Sequence, residues 1–191
     1  MCSSDLSVAD QQGIVMVYPD GALSAGSSGG FVWNTWEFSG ASPDDVAFLL
    51  ALISRMQAVY GVDPCRVYMT GFSNGAMMTN SFASVHSDAL AAIAPVSGGW
   101  IIAYGGSESQ LNTPTPIPVW TWRGSDETFT TGDGSSAQPR TEQDQEQLAY
   151  WVGHDHATYQ STTVERLTYG VSRIYTTKKY AGTAPVWFTE V

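Results

Sequence analysis

The chain has 191 residues, of which 43% are hydrophobic and 12% aromatic, a composition typical of one globular domain and not of a disordered chain. Its formal net charge of −10, with 8 basic residues, argues against binding to nucleic acid through phosphates. No apolar run approaches the roughly 20 residues that span a bilayer, so no membrane segment is expected. The acidic, lysine-poor composition indicates a secreted, extracellular protein, although the first residues do not form a signal peptide. Two cysteines, Cys2 and Cys65, make no disulfide framework; we expect either two free thiols or partners outside this sequence.

The first predicted element is the end of a helix at Leu6–Gln12. The apolar run Ile14–Tyr18 follows it, and such runs are typical of a parallel strand buried on both faces. A long loop, residues 19–41, then carries Trp33 and Trp36, which either line a binding cleft or cap the core. Because the chain opens with a helix and no preceding strand, we expect the first strands of the domain to precede it.

A second helix is predicted to begin at Ser42-Pro43-Asp44-Asp45 and to end at Gly61. Ser42 is the expected N-cap, Pro43 fits the first turn, and Asp45 stands in a capping-box position. Capping accounts for both aspartates, so we do not expect them to be catalytic.

The most informative stretch is Val67–Met78, which predicts a buried strand, a sharp turn and the start of a helix. Within it, Gly71-Phe72-Ser73-Asn74-Gly75 fits G-x-S-x-G, the nucleophile elbow of α/β hydrolases. The two glycines remove side chains that would collide where strand and helix fold back on each other. Ser73 is the predicted nucleophile, and the N–H of Asn74 is placed to stabilise an oxyanion. The alternative is a plain glycine-rich strand-to-helix turn.

Strands and helices alternate through the rest of the chain. This pattern predicts a mostly parallel α/β sheet with helices on both faces. Together with the elbow motif it indicates an incomplete α/β-hydrolase fold in one catalytic domain over residues 1–191. Further strands are expected at Leu90–Val96, Ile117–Trp122, Leu167–Tyr169, Ser172–Tyr175 and Val186–Val191, and a helix at residues 140–152. The loop with Trp100 should lie over the carboxyl edge of the sheet, where such sheets bind ligands.

A serine hydroxyl needs a histidine to take its proton, and the imidazole needs an acid to orient it. In α/β hydrolases the chain order is serine, acid, histidine. Asp126 is the predicted acid, because it lies in a turn after a buried strand; the alternative is an ordinary turn aspartate. Glu127 and Asp133 are the other candidate acids.

None of the three histidines suits the role of base. His86 ends the helix that begins at the elbow, about 20 Å from Ser73 along the axis. His154 and His156 follow a helix that should end at the opposite edge of the sheet. Their H-x-H spacing is a weak metal signal without a third ligand, so we expect solvated histidines and no metal site.

These motifs resemble the secreted esterase family that joins polyhydroxybutyrate depolymerase-like proteins, feruloyl esterases and acetylxylan esterases. The resemblance covers nearly the whole chain. It runs through Ala9–Gly13, Val17–Gly21, Asp44–Leu49, Tyr60–Pro64, Arg66–Tyr68, Gly71–Met78 and Ala94–Gly98. The Ser-Asn-Gly-Ala-Met-Met form of residues 73–78 looks like the polyhydroxybutyrate depolymerase-like branch, whereas the other esterases more often have Ser-Ala-Gly-Gly.

The resemblance implies a serine esterase that hydrolyses carboxylic esters of a polyester or an esterified polysaccharide through an acyl-enzyme on Ser73, without a cofactor. Asp126 matches the acid of the family's Gly-x-x-Asp turn, with one residue fewer. The first strands, the His-Gly loop of the oxyanion hole and the Gly-His segment with the catalytic histidine are expected outside residues 1–191. We therefore expect the chain by itself to be inactive or nearly so.

Two other functions remain open on the sequence. The same triad could serve a feruloyl or acetylxylan esterase or, with less support, a serine peptidase. Alternatively, the chain could be a catalytically inactive relative that binds polymer through Trp33, Trp36 and Trp100.

Overall fold

The computed structural model describes residues 3–24, 30–35, 43–98, 111–130, 137–139 and 141–191. The helices in this part of the chain are α1 (Ser3–Gln12), α2 (Asp45–Tyr60), α3 (Asn74–His86) and α4 (Thr141–His154). The strands are β1 (Leu23–Ser24), β2 (Phe31–Val32), β3 (Tyr68–Phe72), β4 (Ala92–Val96), β5 (Val119–Arg123), β6 (Thr128–Thr130), β7 (Ala137–Pro139), β8 (Thr158–Tyr169), β9 (Val171–Ala181) and β10 (Val186–Glu190). No helix in the described ranges combines the length and apolar character needed to traverse a bilayer.

The main sheet has six strands in the order β3-β4-β5-β10-β9-β8. The first four are parallel, while β9 and β8 are antiparallel to their neighbours. We call the side where β3, β4, β5 and β10 end the carboxyl edge; the residues that follow these strands are Ser73, Ser97, Gly124 and Val191. The predicted α/β-hydrolase type of fold, with a mostly parallel sheet, is confirmed.

One face of this sheet carries the main apolar core. The strand residues Ile93, Val119 and Val186 pack there with Ala83 of α3 and Trp151 of α4. All five are nearly fully buried, with exposures of 0–3%. Asn80 ties the two helices together, because its side-chain oxygen accepts hydrogen bonds at 3.3 Å from the side chains of both Gln147 and Trp151. Helices α3 and α4 therefore share one face of the sheet.

Helix α2 begins two residues later than the expected start and has a different N-cap. Asp44 is the cap, since its side chain accepts a hydrogen bond from the N–H of Ala47 at 2.9 Å. Asp45 is buried and accepts instead from the backbone N–H of Asn34 at 2.7 Å, so it anchors the preceding loop. Ser42, the expected cap, lies outside the described residues. Gly61 ends the helix as predicted, with a φ of 64°.

The apolar run at residues 14–18 does not form the predicted strand. Its five side chains are 41–52% exposed, and no strand in the described part of the chain pairs with them. An apolar sequence favours burial, but a strand forms only where a neighbour accepts and donates its backbone hydrogen bonds. The prediction of a buried strand at Ile14–Tyr18 is therefore wrong for this structure.

The two short strands predicted around Gly170 are the tip of a much longer hairpin, β8–β9. Within β9, only residues Thr176–Tyr180 pair with β10. Because Glu190, the last residue of β10, lies opposite Thr176, the part of the hairpin nearer Gly170 extends past the carboxyl edge.

Candidate active site

Ser73 lies at the sharp turn between β3 and α3, in the place that the sequence predicts. Its φ of 55° and ψ of −115° put a non-glycine residue in a strained backbone conformation. Its side chain is exposed, and its backbone N–H donates to the carbonyl of Val96 at 3.0 Å. The hydroxyl therefore stands at the carboxyl edge, at the N-terminus of a helix.

Close packing around the elbow depends on Gly71 and Gly98. A Cβ at Gly71 would meet the backbone of Gly75 at 2.4 Å, and one at Gly98 would lie 2.9 Å from the carbonyl oxygen of Ser73. A Cβ at Gly75 would meet nothing within 4 Å. The steric argument for the elbow thus holds for the first glycine of the motif and not for the second. The close approach of Gly98 to the elbow was not predicted from the sequence.

Asn74 is the first residue of α3, where backbone N–H groups have no partner within the helix. Its N–H is in the position predicted for an oxyanion donor. Its side chain also connects the elbow to a distant loop: the oxygen accepts from the N–H of Trp33 at 2.7 Å, and the amide donates to the carbonyl of Trp33 at 3.3 Å.

Trp33 is half-buried and its ring stacks on Phe48 of α2, with ring centroids 6.4 Å apart. This packing favours the capping alternative over a role as an open binding surface. The other two tryptophans proposed for substrate binding, Trp36 and Trp100, lie outside the described residues, as does the alternative acid Asp133.

The predicted acid, Asp126, lies in the turn after β5 with its side chain exposed. Glu127 in the same turn is half-buried; one of its carboxylate oxygens accepts from the N–H of Gly124 at 2.8 Å and from the hydroxyl of Ser97. An open concavity of about 430 Å³ adjoins this turn. Its lining residues are Gly124, Ser125, Asp126, Glu127, Arg173 and Val191.

The three histidines of the chain all lie in described regions, and the contacts of none of them place it at the carboxyl edge. His86 ends α3, twelve residues after Asn74 and so about 18 Å along the helix axis. Its ring packs on Phe82, with centroids 5.5 Å apart. His154 and His156 lie at the end of α4, on the side where β5 begins.

His154 is held by buried groups and is not the solvated side chain that the sequence suggests. Its Nδ1 lies 2.7 Å from a carboxylate oxygen of Asp155, and its Nε2 lies 3.3 Å from the carbonyl oxygen of Thr113. Asp155 is fully buried and also accepts from the N–H of Ile117 at 3.2 Å. Burial raises the pKa of Asp155, against the opposite effects of its hydrogen bonds from His154 and Ile117.

Among the described residues, no group of at least three His, Cys, Asp or Glu side chains could hold a metal ion. Cys65 is an exposed free thiol, and Cys2 lies outside the described ranges.

Known proteins with similar sequences are esterases and polyester depolymerases. The chain is 34% identical over 108 residues to a bifunctional acetylxylan esterase/xylanase of Neocallimastix patriciarum, 56% of this chain and 14% of the relative. It is 33% identical over 92 residues to feruloyl esterase B of Talaromyces funiculosus, 48% of this chain and 26% of the relative. It is 44% identical over 48 residues to poly(3-hydroxyalkanoate) depolymerase C of Paucimonas lemoignei, 25% of this chain and 12% of the relative. The chain is therefore similar in sequence to this group of esterases.

The sequence similarity covers only part of each relative. The matched segments span between about an eighth and a quarter of the lengths of these relatives. No protein-family profile matches the chain. Among solved structures, the acetyl xylan esterase of Aspergillus awamori superposes with a TM-score of 0.68 and 20% identity, covering 98% of this chain and 75% of the other. At that identity the superposition shows a shared fold and nothing further.

Proposed function

We propose that this chain belongs to the esterase family that it resembles and is the catalytic part of a serine esterase, in which Ser73 attacks carboxylic esters. The observation that carries the proposal is the strained Ser73 between β3 and α3. A backbone conformation that costs free energy at one exposed serine persists only where the surroundings enforce it, and here Gly71 and Gly98 enforce it by close approach.

The chemistry follows from the elbow. The Ser73 oxygen forms a bond to the ester carbonyl carbon while its proton passes to an imidazole, and the N–H of Asn74 stabilises the oxyanion. The imidazole then returns the proton to the departing alcohol as the ester C–O bond breaks. Water releases the acyl group from Ser73 by the same sequence of proton transfers. An acid in the Gly124–Glu127 turn orients the imidazole.

None of the three histidines of this chain lies where it could act as the base for Ser73. The contacts of His154 tie it to Asp155 and Thr113, near the beginning of β5, and His86 is a whole helix away from the elbow. We therefore expect slow ester hydrolysis by the 191-residue chain, since loss of one triad member lowers kcat by several orders of magnitude.

For the substrate, we favour an ester polymer of the polyhydroxybutyrate type. The Ser-Asn-Gly-Ala-Met-Met form at residues 73–78 and the 44% identity to a poly(3-hydroxyalkanoate) depolymerase support it. The second candidate is an acetylated or feruloylated polysaccharide. The matches to an acetylxylan esterase and a feruloyl esterase extend over 108 and 92 residues, compared with 48 for the depolymerase, and favour that candidate.

The proposal is tested by labelling the chain with a fluorophosphonate and mapping the modified peptide by mass spectrometry. We expect slow labelling of Ser73, because the base is missing, and none in Ser73→Ala. Ser125→Ala is a matched control, because Ser125 is also exposed at the carboxyl edge but lies outside the elbow. Label distributed over several serines, or unchanged in Ser73→Ala, would contradict the proposal.

The substrate class is tested by comparing clearing of polyhydroxybutyrate film with release of acetate from acetylxylan and of ferulate from a feruloylated polysaccharide. We expect Ser73-dependent clearing of the film to exceed the other two activities. The reverse order would select the polysaccharide esters.

A further inference from the structure

We propose that Glu127, and not Asp126, is the carboxylate that positions the imidazole base of Ser73. The inference rests on the proposed serine esterase function and names the residue that completes its acid position. Both acids lie in the turn after β5, so the choice depends on how the structure holds each of them.

The turn is at a suitable distance from the nucleophile. Strand β5 is two positions from β3 in the sheet, with β4 between them. Two interstrand spacings amount to about 10 Å, which leaves room for an imidazole between a serine and a carboxylate at the same edge. The concavity of about 430 Å³ beside Glu127 is open to such a ring.

Glu127 is fixed by groups from two neighbouring strands. The N–H of Gly124 donates to its carboxylate from the end of β5, and the hydroxyl of Ser97 donates to the same oxygen from the end of β4. Its own N–H donates to the carbonyl of Gly124 at 3.2 Å. A carboxylate held in this way loses little further side-chain entropy when it accepts a hydrogen bond from an imidazole.

Ser97 is itself held in a strained conformation that serves this contact. Its φ is 54°, outside the usual region for a non-glycine residue, and its N–H donates to the carbonyl of Trp122 at 2.8 Å. Gly98, directly after it, lies against Ser73 and Ala76. The same short segment therefore contacts Glu127 on one side and the nucleophile elbow on the other.

Asp126 has none of these restraints. Its side chain is exposed, and it forms no side-chain hydrogen bond with the parts of the chain that the structure describes. An exposed carboxylate interacts with an imidazole through high-dielectric solvent and must give up side-chain freedom to do so. It is the weaker choice for holding a base in one orientation.

The test supplies the base from solution to the 191-residue chain. The rate at which a fluorophosphonate modifies Ser73 is measured over a series of imidazole concentrations, in the unmodified chain and in E127Q, E127D and D126N. Ser73→Ala gives the background, and thermal unfolding of each variant checks that it is folded. The slope of the rate against imidazole concentration reports the assisted reaction, and the intercept reports unassisted labelling.

We expect imidazole to accelerate labelling of the unmodified chain. E127Q should reduce the slope roughly tenfold or more, within the range that positioned acid–base groups contribute. E127D should recover part of it, and D126N should retain it. A merely structural role of Glu127 would alter the melting temperature and the intercept without this selective loss of slope.

The outcomes separate the two proposals. A slope lost in D126N and kept in E127Q overturns the assignment of Glu127 and leaves the esterase proposal intact. Labelling of Ser73 that imidazole does not accelerate in any variant also overturns the assignment. Absence of labelling at Ser73 under all conditions overturns the proposed function, and the assignment with it.

Discussion

At the scale of single residues, the two glycines of the elbow motif have unequal roles. A Cβ at Gly71 would meet the backbone of Gly75 at 2.4 Å, whereas a Cβ at Gly75 has open space. Gly71→Ala should therefore lower the free energy of unfolding by about 1–3 kcal/mol or more and slow labelling of Ser73. Gly75→Ala, in the first turn of α3, should be neutral or stabilising by up to about 1 kcal/mol. Urea unfolding of both variants checks this, and equal losses would contradict it.

A second prediction at this scale concerns Asp155. Its pKa is raised by burial, so the folded protein binds its proton more tightly than the unfolded chain does. The stabilisation by the protonated form is complete below the unfolded pKa and is lost as pH rises through the higher folded pKa. The unmodified chain should therefore lose free energy of unfolding relative to Asp155→Asn as pH rises from about 4.

Denaturant unfolding at a series of pH values measures this difference. Asparagine keeps an oxygen that can accept from the N–H of Ile117 and from Nδ1 of His154, so the variant removes the titrating carboxyl while both contacts can persist. Parallel curves for the two proteins, or a difference that changes in the opposite direction, would contradict the prediction.

At the scale of elements, the contact between Asn74 and the backbone of Trp33 joins α3 to a loop 41 residues away in the sequence. Asn74→Ala removes both hydrogen bonds but keeps the backbone N–H at the oxyanion position. We expect faster amide exchange at Trp33 and a loss of about 1–3 kcal/mol in stability. Labelling of Ser73 should fall less than it does in Gly71→Ala.

Asn74→Asp is the matched variant for this prediction. Its carboxylate still accepts from the N–H of Trp33 and is favoured at a helix N-terminus, so it should retain much of the protection. Hydrogen exchange read by mass spectrometry distinguishes the variants. Unchanged exchange at Trp33 in Asn74→Ala would show that the stacking on Phe48 alone holds the loop.

The elbow and the apolar run at residues 14–18 show which kinds of element could be predicted from the sequence. The elbow was predictable because glycine spacing, an apolar strand and a helix start lie within twelve consecutive residues, Val67–Met78. The run Ile14–Tyr18 was not, because its state depends on a partner strand that its own residues do not specify. Local pattern identifies an element, whereas pairing is a property of the sheet.

The acid shows the same limit within the candidate site. Asp126 and Glu127 are neighbours in sequence, and both are reasonable turn residues. What distinguishes them is the hydroxyl of Ser97, 30 residues away, and the burial of one side chain and not the other. A sequence pattern could place an acid in this turn but could not show which carboxylate the fold holds.

Over the molecule as a whole, several large apolar side chains remain exposed on surfaces that α3 and α4 do not cover. Tyr68 on β3 is 65% exposed, on the face opposite Met69, which packs in the core. Val15 and Val17 are 52% and 41% exposed in the apolar run at residues 14–18. Exposed apolar area of this kind favours association in water.

We therefore predict weak, concentration-dependent self-association of the 191-residue chain, opposed by its net charge of −10. Added salt screens that repulsion and should increase association, as measured by sedimentation velocity. Tyr68→Thr and the double variant Val15→Thr/Val17→Thr should each reduce association and the fluorescence of a bound apolar dye. Val59→Thr removes one exposed apolar side chain on α2 and should have a smaller effect than Tyr68→Thr or the double variant. A chain that stays monomeric at all salt concentrations and binds no dye would show that these surfaces are covered in solution.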